Sequence, residues 1–200
     1  MPQRASTPSS SSVVRSSVPR VSDVHVALLR GINLGGRRLP MKDLAPMFRD
    51  AGCGDVRTYI QSGNVVFQAG QALARRIPDL IEEAISERFG FEAPVVTRTA
   101  AEIDGVVRGN PFLKGGADPK TLHVAFLRDR PSKTGIATLD PDRSPPDEFA
   151  VRASEIYLRC PDGVARSKLT AQYFDSRLGT ITTARNWRTV LKLQEMARGG

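Results

Sequence analysis

The sequence predicts an α+β chain made of two βαββαβ plaits in tandem, closed by a C-terminal helix. Three observations predict it. A β-branched and leucine-rich run, V-H-V-A-L-L-R at Val24–Arg30, returns as L-H-V-A-F-L-R at Leu122–Arg128, 98 positions later. Each copy is followed by the same order of hydrophobic periods: helical, two short runs about a turn, helical, then a short extended run. Each hairpin opens on a Val-Arg pair, Val56-Arg57 and Val151-Arg152. A β-α-β-β-α-β order is the ferredoxin-like split arrangement, so the fold class read from the sequence is a duplicated ferredoxin-like plait.

Residues 1–21 are rich in Ser, Pro and Arg and carry no acid. They offer too little apolar surface to offset ordering entropy, which predicts a disordered tail. The first domain is expected over residues 22–99. Val24–Arg30 is too short for a typical helix and is closed by Gly31, so it reads as a strand. Gly31–Leu39 is a loop. Pro40 suits the first turn of a helix whose apolar positions Met41, Leu44, Met47 and Phe48 recur at helical spacing, and Gly52 and Gly54 end it. Asp55–Ile60 and Asn64–Gln68 are strands about a Ser62-Gly63 turn. Leu73–Phe89 is helical, with Gly90 as its stop and Pro78 either dividing it or marking a late start. Ala93–Thr99 is the last strand of this half.

Residues 100–119 form a connecting helix (Ala100–Val107) and a linker marked by Asn110-Pro111 and Gly115-Gly116. The second domain, 120–200, repeats the order. Leu122–Arg128 is a strand and Pro131–Leu139 a short helix. Phe149–Arg152 and Ile156–Cys160 form a hairpin, and Ala165–Leu178 a helix with Leu169, Tyr173 and Phe174 inward. Thr180–Thr182 is expected as a short last strand. Thr183 is expected to cap a final helix, Arg185–Met196, in which Trp187 is a core anchor rather than a base-stacking platform.

Composition bounds the function. No apolar run approaches the roughly 20 residues that cross a bilayer. The chain carries a net charge of +8, of which Arg4, Arg15 and Arg20 in the tail supply three. The remainder is spread along the chain, which is permissive for nucleic acid and equally consistent with a plain basic surface. Cys53 and Cys160 lie in no CxxC pattern, which fits a reducing cytoplasm without a disulfide framework.

Chain connectivity points to one edge for a site. The first and second strands run parallel because a helix crosses between them, so their carboxyl ends share an edge. The Gly31–Leu39 loop, the Gln61–Asn64 turn and the amino end of the Pro40 helix all meet there. Arg30, Gly31, Asn33, Gly35, Gly36, Gln61, Ser62 and Asn64 are the candidate ligand-binding residues. Open amides beside a helix amino terminus favour an anion. The alternative is that the glycines and Asn64 only shape tight connections. Gly31-x4-Gly36-Arg37-Arg38 resembles a phosphate-binding loop in spacing, but arginines replace the required Lys and Ser/Thr, which excludes a nucleotide hydrolase of that type.

Arg166, Lys168, Arg185 and Asn186 form a secondary basic candidate site, able to contact phosphates or simply to be solvated. His25 and His123 occupy equivalent positions without metal-ligand spacing, and are expected as hydrogen-bonded histidines on a face packed by the other domain. The first strand lacks the aromatics of a sheet-face RNA reader, and the third has only Phe67. No catalytic residue, metal ligand or cofactor motif is recognised. Three readings stay open: a non-enzymatic anion- or nucleic-acid-binding protein, an enzyme acting on a small phosphorylated or carboxylated metabolite, and a structural or interaction protein.

Five motifs in order, L-L-R-G-I-N-L-G-G (Leu28–Gly36), Y-I-Q-S-G-N-V-V-F (Tyr59–Phe67), N-P-F (Asn110–Phe112), R-S-K-L-T (Arg166–Thr170) and T-A-R-N-W (Thr183–Trp187), carry a resemblance. The chain resembles the bacterial proteins grouped as domain-of-unknown-function family 1697, over about residues 23–197. The last motif often reads T-T-R-N-W in that family; here Ala184 follows Thr183. The resemblance implies the tandem plait and brings no activity with it.

Overall fold

Strand β1 (Asp23–Leu29) is buried on both faces from Val26 to Leu29, which is why its sequence is a continuous apolar run rather than an alternating one. The computed structural model describes residues 23–33 and 35–199. The predicted disordered tail lies outside the described residues. After β1 come α1 (Met41–Asp50), β2 (Gly54–Tyr59), β3 (Asn64–Ala69), α2 (Gln71–Ala74), α3 (Ile77–Phe89), β4 (Val95–Thr99) and α4 (Ala100–Gly109). The second half contains β5 (Leu122–Leu127), α5 (Lys133–Ala137), β6 (Glu148–Arg152), β7 (Glu155–Arg159), α6 (Ala171–Leu178), β8 (Thr182–Asn186) and α7 (Trp187–Ala197).

Two four-stranded sheets result, ordered β2-β3-β1-β4 and β6-β7-β5-β8, and all neighbouring strands are antiparallel. One face of the first sheet (Ala27, Leu29, Val65, Phe67, Val95) packs on α1 and α3. One face of the second (Ala125, Leu127, Ile156, Leu158) packs on α6. The opposite faces share a central core with α4 and α7, in which Trp187, Val190 and Leu193 meet Val26, Val66, Val124 and Phe126. None of the helices among the described residues is long and apolar enough to cross a membrane.

The joint between the halves is reciprocal. Arg98 on β4 donates to Leu127 O (2.7 Å) and to Ser154 O (3.0 Å) in the β6–β7 turn. Arg185 on β8 donates to Leu29 O (2.7 Å) and to Ser62 O (3.0 Å) in the β2–β3 turn. Arg30 pairs with Asp175 on α6, and Arg128 with Glu82 on α3. Arg57 donates to Met196 O on α7 (2.9 Å), and Arg152 to Gly109 O on α4 (3.0 Å). Each half thus sends three equivalent arginines into the other.

Four expectations need correction. The last strand is Thr182–Asn186, not Thr180–Thr182, and the cap of the final helix is Asn186, whose Oδ1 accepts from Thr189 N at 2.8 Å. That strand has no apolar alternation because its buried side chains are Thr182, Thr183 and Arg185, the last of which bonds backbone carbonyls of the other half. The helix expected from Ala165 starts at Ala171, where Thr170 caps it, after a separate single turn at Val164–Arg166. Pro78, by contrast, acts as its sequence suggests: it stands at the start of α3, and the residues before it form the separate α2. His25 and His123 share the faces covered by their own halves' helices, not the central faces. His25 stacks on Phe67 (centroids 5.4 Å apart), and its Nε2 has no hydrogen-bond partner among the described residues. Burial lowers the His123 pKa.

Cys53 and Cys160 are buried free thiols in different cores, and burial raises each pKa to about 11.

Candidate functional site

The Gly31–Leu39 loop leaves β1 and folds back on itself. Asn33 adopts a left-handed conformation (φ 58), and its backbone N–H donates to Arg37 O at 2.7 Å. Its side chain then ties the loop to the β2–β3 turn: Nδ2 donates to Gln61 O (2.9 Å), while Oδ1 accepts from Leu39 N (3.0 Å). Asn64 shapes that turn from below, donating to Tyr59 O (3.1 Å) and Ser62 Oγ (2.8 Å). Gly63 closes it. Its φ is +68, and a Cβ there would lie 2.7 Å from Leu29 Cβ and 2.8 Å from Ile32 Cδ1. Gly63→Ala is therefore expected to destabilise the fold by about 2–4 kcal/mol, from left-handed strain plus overpacking, read by urea denaturation.

A cleft of about 410 Å³ opens where this loop and turn meet β8 and the amino ends of α6 (Ala171) and α7 (Asn186, Thr189). It adjoins a recess of about 370 Å³ lined by Gly36, Arg37 and Arg38, with Asn33 and Gln61 common to both. Among the described residues, neither lining includes a carboxylate, histidine, lysine or cysteine. Arg37 and Arg38 are exposed, and no described acid pairs with them. Arg185 is 8% exposed and forms part of the cleft wall. Burial lowers its pKa to about 10, so it keeps its charge at neutral pH. Thr182 is fully buried in the same wall, and its Oγ1 has no hydrogen-bond partner among the described residues.

Of the predicted ligand residues, Arg30, Gly31, Asn33, Gln61 and Ser62 line the cleft and Gly36 the recess. Gly35 is exposed on the loop, and Asn64 is fully buried beneath the turn. The chain does not hold the secondary basic set together. Arg185 and Asn186 join the first site, while Arg166 and Lys168 are exposed elsewhere, with the Lys168 backbone N–H donating to Ser144 Oγ at 3.0 Å. Sequence reasoning did not assign Thr182, Thr183 and Thr189 to a site; the T-A-R-N-W motif takes in only Thr183 of the three.

A related cleft of about 370 Å³ lies at the equivalent place in the other half, around Thr97, Arg98, Thr99, Glu102, Arg128 and Ser154. Strand register fixes the correspondence. Leu28 and Leu29 face Asn64 and Val95; Phe126 and Leu127 face Glu155 and Thr182. Val26 faces Arg98, and Val124 faces Arg185. Glu155 in one half therefore matches Asn64 in the other, and Val95 matches Thr182. Counting from the helix caps, Glu102 matches Thr189. The first cleft is lined by Thr189 where its counterpart is lined by Glu102, and its buried arginine meets Asn64 where Arg98 meets Glu155; the glycine-rich loop borders the first cleft alone.

An α+β chain of two like-ordered antiparallel sheets with a cleft at their joint is the class of protein these observations define. It belongs to the family described as "Protein of unknown function (DUF1697)", whose model matches residues 23–157. Among solved structures it is similar to the conserved bacterial protein SP0830 from Streptococcus pneumoniae, at 16% identity over 88% of this chain and 99% of that one, with a TM-score of 0.65. At that identity the likeness shows the fold alone. A comparison with curated proteins finds no match.

Proposed function

We propose that the protein binds a small anionic ligand, phosphorylated or carboxylated, in the cleft between its halves, and does so without catalysing a reaction. The observation that carries this reading is the contrast between the two clefts: the one with the glycine loop has Thr189 where its counterpart has Glu102, and its buried arginine faces Asn64 where the other faces Glu155. Arg37 and Arg38 border it, and two helix amino termini reach it. Its volume is that of a small-molecule site. Among the described residues its lining holds no histidine, carboxylate or cysteine, which favours binding over acid–base chemistry. In the same proposal each half is a ferredoxin-like plait, the two related by duplication. The shared strand order and the reciprocal arginines support this. Two buried free thiols fit a cytoplasmic setting.

Isothermal titration with pyrophosphate, citrate and mononucleotides tests the reading, with single-stranded RNA and DNA oligonucleotides as parallel arms. Saturable binding of a small anion is expected. The double variant Arg37→Ala/Arg38→Ala is expected to weaken it about tenfold or more, the equivalent of one lost charge-assisted hydrogen bond. Binding confined to oligonucleotides points instead to nucleic acid as the partner, and no binding in any arm rejects an anion site.

A further inference from the structure

The two arginines that clasp the halves differ in one respect. Arg98 Nε donates to the Glu155 carboxylate at 2.8 Å, with side-chain exposures of 7% and 12%. Arg185 Nε donates at 2.5 Å to Asn64 Oδ1, the carboxamide that stands where Glu155 stands in the other half. Its remaining donors go to Thr183 Oγ1 and the carbonyls of Leu29, Ser62, Gly63 and Ala184, all neutral. Arg185 is thus fully hydrogen-bonded, yet it is a buried cation with no carboxylate partner among the described residues. Burying a charge is unfavourable unless an opposite charge is near. It lies in the wall of the cleft beside Thr182, whose buried hydroxyl has no partner.

We infer that the missing counter-charge is brought by the ligand: Arg185 sets the cleft's preference for an anion, and Asn64 keeps the position vacant by holding the guanidinium without neutralising it. This rests on the anion-binding reading above and adds the determinant of its charge selectivity. The anionic group would seat at the Thr182 end of the cleft, where the hydroxyl can donate to it and the amino ends of α6 and α7 face it. Its interaction with Arg185 is then through the field of the charge, since the guanidinium donors are already used. A like site is not expected in the other half, where Glu155 already neutralises Arg98.

Asn64→Asp and Thr183→Asp each place a carboxylate beside Arg185, from different sides. The second sacrifices no donor to a neighbour, because Thr183 Oγ1 serves as an acceptor there. Thermal melts of wild type, both variants and Glu155→Gln are followed by circular dichroism, with and without pyrophosphate and citrate. Wild type is expected to be stabilised by the anions. At least one Asp variant is expected to melt about 3 °C higher without them and to lose at least tenfold in anion affinity. Glu155→Gln is expected to melt lower and keep wild-type affinity. A wild type that ignores the anions removes the binding reading itself. Wild-type binding that survives unchanged in the folded Asp variants overturns only the role given to Arg185. Failure of both Asp variants to fold overturns that role too, since a counter-charge that is missing would not be harmful when supplied.

Discussion

Arg98→Met is expected to be among the most destabilising single changes in this chain, lowering stability by about 3–5 kcal/mol in urea denaturation. The side chain is 7% exposed, and its loss leaves the Glu155 carboxylate buried without a cation. It also withdraws the donors that Leu127 O and Ser154 O receive across the joint. Adding Glu155→Gln to Arg98→Met should recover part of the loss, because the stranded charge is then gone and only hydrogen bonds are missing. Arg185→Met is the informative comparison. It removes six hydrogen bonds against four at Arg98 but strands no carboxylate, so its effect should still be the smaller if the buried charge dominates. Equal losses at the two positions would show that the charge asymmetry of the joint has no energetic weight.

That asymmetry is not readable from the chain by pattern alone. β1 and β5 announce themselves because strands buried on both faces must be apolar throughout, and the duplicated V-H-V-A and L-H-V-A runs expose the repeat. The convergence of the Gly31–Leu39 loop with the Gln61–Asn64 turn is also legible, since a crossover helix forces two parallel strands to end on one edge. Asn33 donating to Gln61 O joins the two as that reasoning requires. The misplacement of β8 has a different origin. Thr182, Thr183 and Arg185 are buried polar side chains, Arg185 bonding Thr183 Oγ1 and the backbone of the other half, so the strand contains no apolar run to detect. An arginine in such a segment reads as solvated or phosphate-seeking, and only the register that equates it with Arg98 shows it to be a clasp. Asn64 likewise reads as a turn former, which it is; its second role emerges only beside Glu155. The late start of α6 was hidden because Leu169 falls at helical spacing from Tyr173 although Thr170 caps the helix after it.

Trp187→Ala is expected to match the loss at Arg98, at about 3–5 kcal/mol, by a different route. Trp187 is 2% exposed at the first position of α7, in the central core that both sheets share. Truncation removes the largest side chain from the layer where Val26 and Val66 of one sheet approach Val124 and Phe126 of the other. The cavity cannot collapse easily, since α7 is pinned at one end by the Asn186 cap and at the other by Arg57 donating to Met196 O. Because the chain has a single tryptophan, the measurement must be circular dichroism rather than intrinsic fluorescence. The expected signature is a lower urea midpoint and a broadened transition, as the halves lose the packing that makes them unfold together while each keeps its own outer core. A residue displayed for stacking on a base would behave otherwise. Its removal would shift stability by less than about 1 kcal/mol, within the range of a surface substitution, and such a result would move Trp187 from the core to the candidate nucleic-acid contacts.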